Sequence, residues 1–195
     1  MGHSHDDHDH DRDHVHETDP ACAVAHGEAA PGAAGASQGD ERTLVAVFSS
    51  PVAGHLLRYG ADLGFRAVLL EPDAERAERV AAEGMPAAEV VTKVPAWLDD
   101  TADVVLTDHD RPELGELLHE LLGFPCRWIG VMGSPRHTAP HVAALAALGV
   151  PPEQVARVHR PIGLNIGSKT PPEIAVSTLA GLLADRNGRP GGFAF

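Results

Sequence analysis

The amino-acid sequence predicts one α/β domain built on a doubly wound parallel sheet and preceded by an unstructured tail. Three observations carry this. Short continuous apolar runs recur between residues 43 and 132, stretches with helical spacing alternate with them, and residues 1–42 hold almost no large apolar side chain. Strands that read as unbroken apolar runs are buried on both faces, as in a parallel sheet with helices on either side.

Residues 43–48 (TLVAVF) form the first such run, and Ser49, Ser50 and Pro51 turn it into a helix over residues 52–63. Residues 66–70 give a second strand ending at Glu71, and residues 74–83 a second helix stopped by Gly84. A weak third strand is expected at 89–91, a fourth at 103–106, a helix at 113–122 and a fifth strand at 127–132. Two more helices, 136–148 and 172–185, flank an irregular link. The folded domain is thus expected over residues 43–187, large enough for a single core, with 188–195 a flexible end. Ligands of such sheets bind beyond the carboxyl ends of the strands, where the strand order reverses, so chemistry is sought in the segments after each strand.

The formal net charge of -13 argues against nucleic acid or an anionic membrane surface, which reward clusters of Lys and Arg. Of the two cysteines, Cys22 lies in the tail and Cys126 precedes an apolar run; neither a disulfide framework nor a thiolate metal site is suggested. No apolar stretch approaches the roughly 18 residues that span a bilayer. The N-terminus is acidic and His-rich rather than basic and then apolar, so a cytoplasmic protein is expected.

Within the tail, His3, His5, His8, His10, His14 and His16 are interleaved with Asp6, Asp7, Asp9, Asp11 and Asp13. Imidazoles among carboxylates can wrap a divalent ion such as zinc, nickel or copper, although the same composition serves as a solubilising tail. The following Ala/Gly-rich stretch cannot bury enough surface to offset the entropy of ordering and is expected to be a flexible linker, giving a tail and linker over residues 1–42.

Four segments can carry chemistry. After the first strand, Ser49, Ser50 and Gly54 stand where a dinucleotide fold carries G-x-G-x-x-G, but only one glycine remains, so weak or no NAD(P) binding is expected. Glu71, about twenty residues on, occupies the place of an acid that holds ribose hydroxyls. Thr107, Asp108, His109 and Asp110 set two carboxylates and an imidazole at the ligand edge, where Asp110 or a neighbour also serves to cap the next helix. After the fifth strand, Gly133 and Ser134 precede Pro135, and Arg136 sits in what reads as a helix N-terminus, a ready anion site. In the closing segment, Thr170 and Glu173 form a capping box that leaves Gly163, Asn165, Gly167 and Lys169 unexplained, the preferred ligand contact.

Residues 107–110 (TDHD), 128–136 (WIGVMGSPR) and 161–177 (PIGLNIGSKTPPEIAVS) resemble the C-terminal Rossmann domain of the XdhC/CoxI family of xanthine dehydrogenase accessory proteins. The resemblance implies a maturation factor for a molybdenum hydroxylase. It would bind molybdenum cofactor, protect it while a cysteine desulfurase supplies the terminal sulfur, and pass it to the apoenzyme as a chaperone rather than an enzyme. An NAD(P)-dependent oxidoreductase and a metal-buffering protein acting through the tail are the alternatives. Family members commonly carry a separate N-terminal domain where this sequence has the His-rich tail, so a function that needs both domains would require a separate XdhC N-terminal-domain protein. A homodimer is also open.

Overall fold

The computed structural model describes residues 42–84, 88–133 and 139–192. The tail with its histidines, and the predicted anion ligands Ser134 and Arg136, lie outside the described residues. Six strands, β1 (Thr43–Val47), β2 (Arg66–Leu70), β3 (Ala88–Val91), β4 (Ala102–Leu106), β5 (Trp128–Val131) and β6 (Val158–His159), pair in parallel in the order β3-β2-β1-β4-β5-β6. The helices are α1 (Pro51–Asp62), α2 (Ala74–Glu83), α3 (Leu114–Leu122), α4 (Pro140–Ala147), α5 (Pro152–Val155) and α6 (Pro171–Arg186). The expected Rossmann-type sheet is therefore observed, with its reversal of order between β1 and β4.

The strand period of two sorts the apolar runs into two cores. Leu44 and Ala46 join Leu56, Leu57, Leu179 and Leu182 from α1 and α6 on one face. Val45 and Val47 join Leu118, Leu121 and Leu145 from α3 and α4 on the other. Val47 aligns with Leu70 and with Leu106, so β1, β2 and β4 end level and deliver their following loops to one edge.

Three departures from the sequence reading are local. The link after α4 contains a one-turn helix and the two-residue strand β6, both too short to leave a periodic signal. The helix expected from residue 136 begins at Pro140 with Ala139 at its cap position, so its start carries no side-chain cap. The helix after β4 begins at Leu114, with Glu113 rather than Asp110 at the cap position and again no side-chain cap bond.

The packing of α6 explains part of the closing segment. Gly163 has φ +82°, and a Cβ there would stand 2.7 Å from Ser177 Oγ, while one on Gly181 would stand 2.9 Å from Gly163 Cα. Two helical turns and the approaching loop thus touch backbone to backbone. The Leu164 amide donates to the Ser177 carbonyl at 3.0 Å, and the Ser177 hydroxyl donates to the Leu164 carbonyl. At the other end of α6, buried Asp103 accepts from Arg127 Nε and Arg186 Nε, each at 2.6 Å, and Arg127 also reaches Asp185. Because Asp103 lies at the start of β4, α6 ends at the base of the sheet and its first turn points to the carboxyl edge.

Removing one partner of a buried ion pair strands the others' charge, at a cost of about 3–5 kcal/mol. Asp103→Ala should lower unfolding stability by that order in urea titrations, whereas exposed Glu89, paired with Arg66 at 2.8 Å, should tolerate replacement by Ala with under about 1 kcal/mol of loss.

Candidate functional site

The carboxyl edge is shaped by an unusual turn. Phe48, fully buried, has φ +70°, a left-handed conformation that costs a non-glycine residue about 1–2 kcal/mol. Such strain persists only where surrounding contacts enforce it. Here the Phe48 amide donates to the Leu70 carbonyl at 2.9 Å, and its carbonyl accepts from Thr107 Oγ1 at 2.9 Å. Thr107 Oγ1 also lies 3.1 Å from the Val47 carbonyl and accepts from Ser50 Oγ at 3.0 Å. Thr107 therefore ties the β1 loop to the β4 loop across the switch point.

The turn aims Ser49 at Glu71. Both the amide and the hydroxyl of Ser49 donate to Glu71 Oε2 at 2.8 Å, and the Asp73 amide donates to Oε1 at 3.1 Å. Arg111, from the β4 loop, adds Nη1 to Oε2 at 3.3 Å and Nη2 to Oε1 at 3.1 Å, with its guanidinium 4.7 Å from the centre of the Phe48 ring. Burial alone would push the Glu71 carboxyl up, but Arg111, Ser49 and the Asp73 amide outweigh it and hold the group below the usual carboxylate range. Glu71 is fully buried. It stands where a ribose-binding acid was expected, yet its oxygens are used inside the protein to join three loops.

Arg111 is one residue that sequence reasoning missed. The available signal was indirect: a glutamate at the tip of a buried strand needs a counter-charge, and Arg111 is the single Lys or Arg between β4 and α3. It is also held by Glu113, with Nη2 to Oε1 at 2.9 Å.

Ser50 caps α1, accepting from the Ala53 amide at 3.0 Å, and Pro51 occupies the first turn. Among the described residues, the amides of Ser50 and Val52 have no hydrogen-bond partner. The start of α1 borders a cleft of about 550 Å³ between α1 and α2, lined among others by Ser49, Ser50, Gly54, Arg58, Arg79 and Glu83. A Cβ on Gly54 would meet nothing within 4 Å, so the helix start presents bare backbone to the cleft. Arg58 and Arg79, neither singled out from the sequence, give it two guanidiniums against the one carboxylate of Glu83. Arg58 also contacts His55 Nδ1 at 3.2 Å.

Asp108, His109 and Asp110 lie on the same edge. Asp108 closes its own turn by accepting from the Asp110 amide at 3.0 Å, and His109 Nε2 is 3.7 Å from Asp110 Oδ1. Among the described residues no group of three or more His, Cys, Asp or Glu side chains is arranged to hold a metal ion. Gly133 follows β5 at the edge; a Cβ there would come within 2.5 Å of Arg160 Nη2, so glycine is what lets that guanidinium lie against the strand end. In the closing segment, Glu173 Oε2 accepts from the Lys169 and Thr170 amides at 2.8 and 3.0 Å, which accounts for both backbones. Asn165, Gly167 and the Lys169 side chain are exposed, and Gly167, at φ +70°, has open space around it. Cys126 is buried, and burial pushes its thiol up to about 11, which fits packing rather than sulfur transfer.

Glu71 contributes stability that is present above the ordinary carboxylate range and is lost as the pH falls through its lowered value. In Arg111→Met the buried carboxylate loses its partner, so the variant should be less stable by about 3–5 kcal/mol at neutral pH. Protonation would then relieve the stranded charge, and the gap to the parent should narrow in acid. Urea unfolding at a series of pH values reads this, and a gap independent of pH would contradict the role given to Arg111.

Comparison with known proteins agrees with this architecture. The XdhC Rossmann domain family matches residues 44–182. An uncharacterized protein, YqeB, from Escherichia coli (strain K12) is 37% identical over 94 residues, covering 48% of this chain and 17% of its own. A Bacillus halodurans structure described as a xanthine dehydrogenase superposes with a TM-score of 0.61 at 23% identity, over 76% of this chain and 45% of its own, a likeness of fold. The chain thus spans less than half the length of either relative. No helix among the described residues is long and apolar enough to cross a membrane. With the family match running from β1 into α6, the chain belongs to the XdhC Rossmann domain family.

Proposed function

We propose that this domain is an accessory protein to a xanthine dehydrogenase-type molybdenum hydroxylase and that its carboxyl edge receives molybdenum cofactor. The observation that carries the reading is the cleft at the start of α1: two arginines, the helix start at Ser50 and an open glycine, in a chain whose net charge is -13. An acidic protein that gathers cations and a helix N-terminus at one cleft has the means to hold a phosphate. Molybdenum cofactor carries a phosphate or dinucleotide, so the donor set fits. When bound, it supplies the molybdenum centre whose terminal ligand becomes sulfido during maturation.

Each residue then has a task. Arg58 and Arg79 hold the phosphate by charge and hydrogen bonds, while the α1 dipole at Ser50 favours the same anion. Gly54 admits close backbone approach. Glu71, Arg111 and Thr107 keep the three loops in place without touching the ligand. Asp108, His109, Asn165, Gly167 and Lys169 remain on the exposed edge as further contacts for the cofactor or for the apoenzyme. A cysteine desulfurase and a separate XdhC N-terminal-domain chain complete the partner set. NAD(P) is the weaker reading, because Glu71 is engaged by Ser49, Asp73 and Arg111 and the glycine pattern is lacking.

Fluorescence titration with molybdopterin tests the proposal. The parent should show saturable binding, and an Arg58→Ala, Arg79→Ala double variant should bind at least tenfold more weakly, the effect of losing about 1.4 kcal/mol or more of charge-assisted contact. Equal binding by parent and variant would remove the cleft from the proposal. Saturable binding of NADH at millimolar concentration, with none of molybdopterin, would replace the cofactor reading with the dinucleotide one.

A further inference from the structure

Helix α4 departs from the pattern by which a surface helix turns apolar residues inward and polar ones outward. Among the described residues, α1, α2 and α3 expose charged side chains such as Arg58, Glu75, Arg79, Glu116 and Glu120. Helix α4 exposes none. From residue 139 to residue 152 the sequence holds no Asp, Glu, Lys or Arg, although these make up 22% of the chain, and its one polar side chain, His141, is buried.

The helical period sets the two sides of α4. Inward, His141 and Leu145 are buried, and Ala144 packs on α3 so closely that a Cβ on Gly115 would stand 2.9 Å from its own Cβ. Positions 142, 143, 146 and 147 fall together on the opposite side, where Val142, Ala143, Ala146 and Ala147 are all exposed. Val142 is 46% exposed, and Leu148, just past the helix end, 42%. Beside the first turn opens a cleft of about 380 Å³, lined among others by Ala139, Val142, Val155, Val158 and Pro161. A continuous apolar face with an adjoining apolar cleft is the mark of a protein contact.

We propose that this face is the contact between two copies of this chain, their α4 helices running antiparallel about a two-fold axis. Such a contact uses one patch twice, so the patch must complement itself. With the axis between positions 144 and 145, Val142 of one copy meets Ala147 of the other, and Ala143 meets Ala146. The larger side chain faces a small one, and the alanines let the helices approach closely. Leu148 of each copy then lies opposite the first turn of the other helix, at the mouth of the apolar cleft, and anchors the contact there.

Charge favours the same occupant. A chain of net charge -13 repels its own copy over most of its surface. The uncharged segment lets two copies meet without setting like charges together, and it offers a basic partner no carboxylate to pair with. The helix is only about 12 Å long, and its face alone does not reach the roughly 800 Å² per partner of a stable interface. The dimer is therefore a weak one that forms as concentration rises. Because α4 packs on the opposite face of the sheet from α1, the pairing leaves the cleft between α1 and α2 open in both copies and does not depend on the cofactor proposal.

Sedimentation velocity of the full chain tests this, with EDTA present so that no metal ion links tail histidines. Between about 5 and about 500 μM the parent should pass reversibly from monomer to dimer. Ala143→Glu and Ala146→Lys each put a charge into the contact and should raise the dissociation constant by about tenfold or more. Both positions are exposed, so circular dichroism and Tm should stay those of the parent. An equimolar mixture of the two variants should recover the dimer, because the acid introduced in one copy faces the base introduced in the other. Val176→Glu, at a position 50% exposed on α6, should leave the equilibrium unchanged. A parent that stays monomeric at every concentration would overturn the proposal, as would a dimer that either α4 variant leaves intact. Dispersal by Val176→Glu alone would move the contact to α6, and a mixture no more associated than its components would contradict the antiparallel pairing.

Discussion

The carboxyl edge of this sheet depends on one buried carboxylate. Glu71 receives bonds from the loop after β1 through Ser49, from the loop after β2 through Asp73, and from the loop after β4 through Arg111. Without it the left-handed turn at Phe48 would lose what holds its following residue. That turn in turn sets where Ser50 caps α1 and where the cleft opens. A charge buried this deeply is tolerable only when fully paired, so the three loops are fixed together or not at all.

This arrangement separates two uses of one fold position. In dinucleotide-binding domains an acid at the tip of the second strand reaches the ligand. Here the same position has been drawn inward, and the work of meeting a ligand passes to groups that were less conspicuous: Arg58 and Arg79 on the outer faces of α1 and α2, and the bare helix start at Gly54. The domain keeps the electrostatic advantage of a helix start at the carboxyl edge while giving up the ribose acceptor. That exchange suits a protein proposed to hold and release a phosphate-bearing cofactor.

The sheet was legible in the sequence because burial on both faces makes each inner strand an apolar run, and because Gly84 marks where the second helix stops. The strand β6 was not, since two residues cannot express a period. The pairing of Glu71 with Arg111 was hidden for a different reason: the two residues are 40 apart in the chain and meet only once the loops are side by side. The closing segment was legible in part. Gly163 has a packing reason that the pattern did not show, its approach to Ser177 and Gly181, and Thr170 with Glu173 caps α6 as the pattern indicated. The arginines of the cleft read from sequence as ordinary helix-surface charges, and only the geometry of α1 against α2 brings them to the same space.

The central claim is that the cleft between α1 and α2, at the carboxyl edge of the sheet, is where the cofactor meets this domain. Backbone amide NMR of the full chain during titration with molybdopterin tests it without relying on any substitution. The account predicts saturable shifts centred on Ser50, Val52, Gly54, Arg58 and Arg79, with Glu71 and Arg111 moving little because they do not touch the ligand. Shifts centred instead on the base of the sheet, near Asp103 and Arg186, would contradict it.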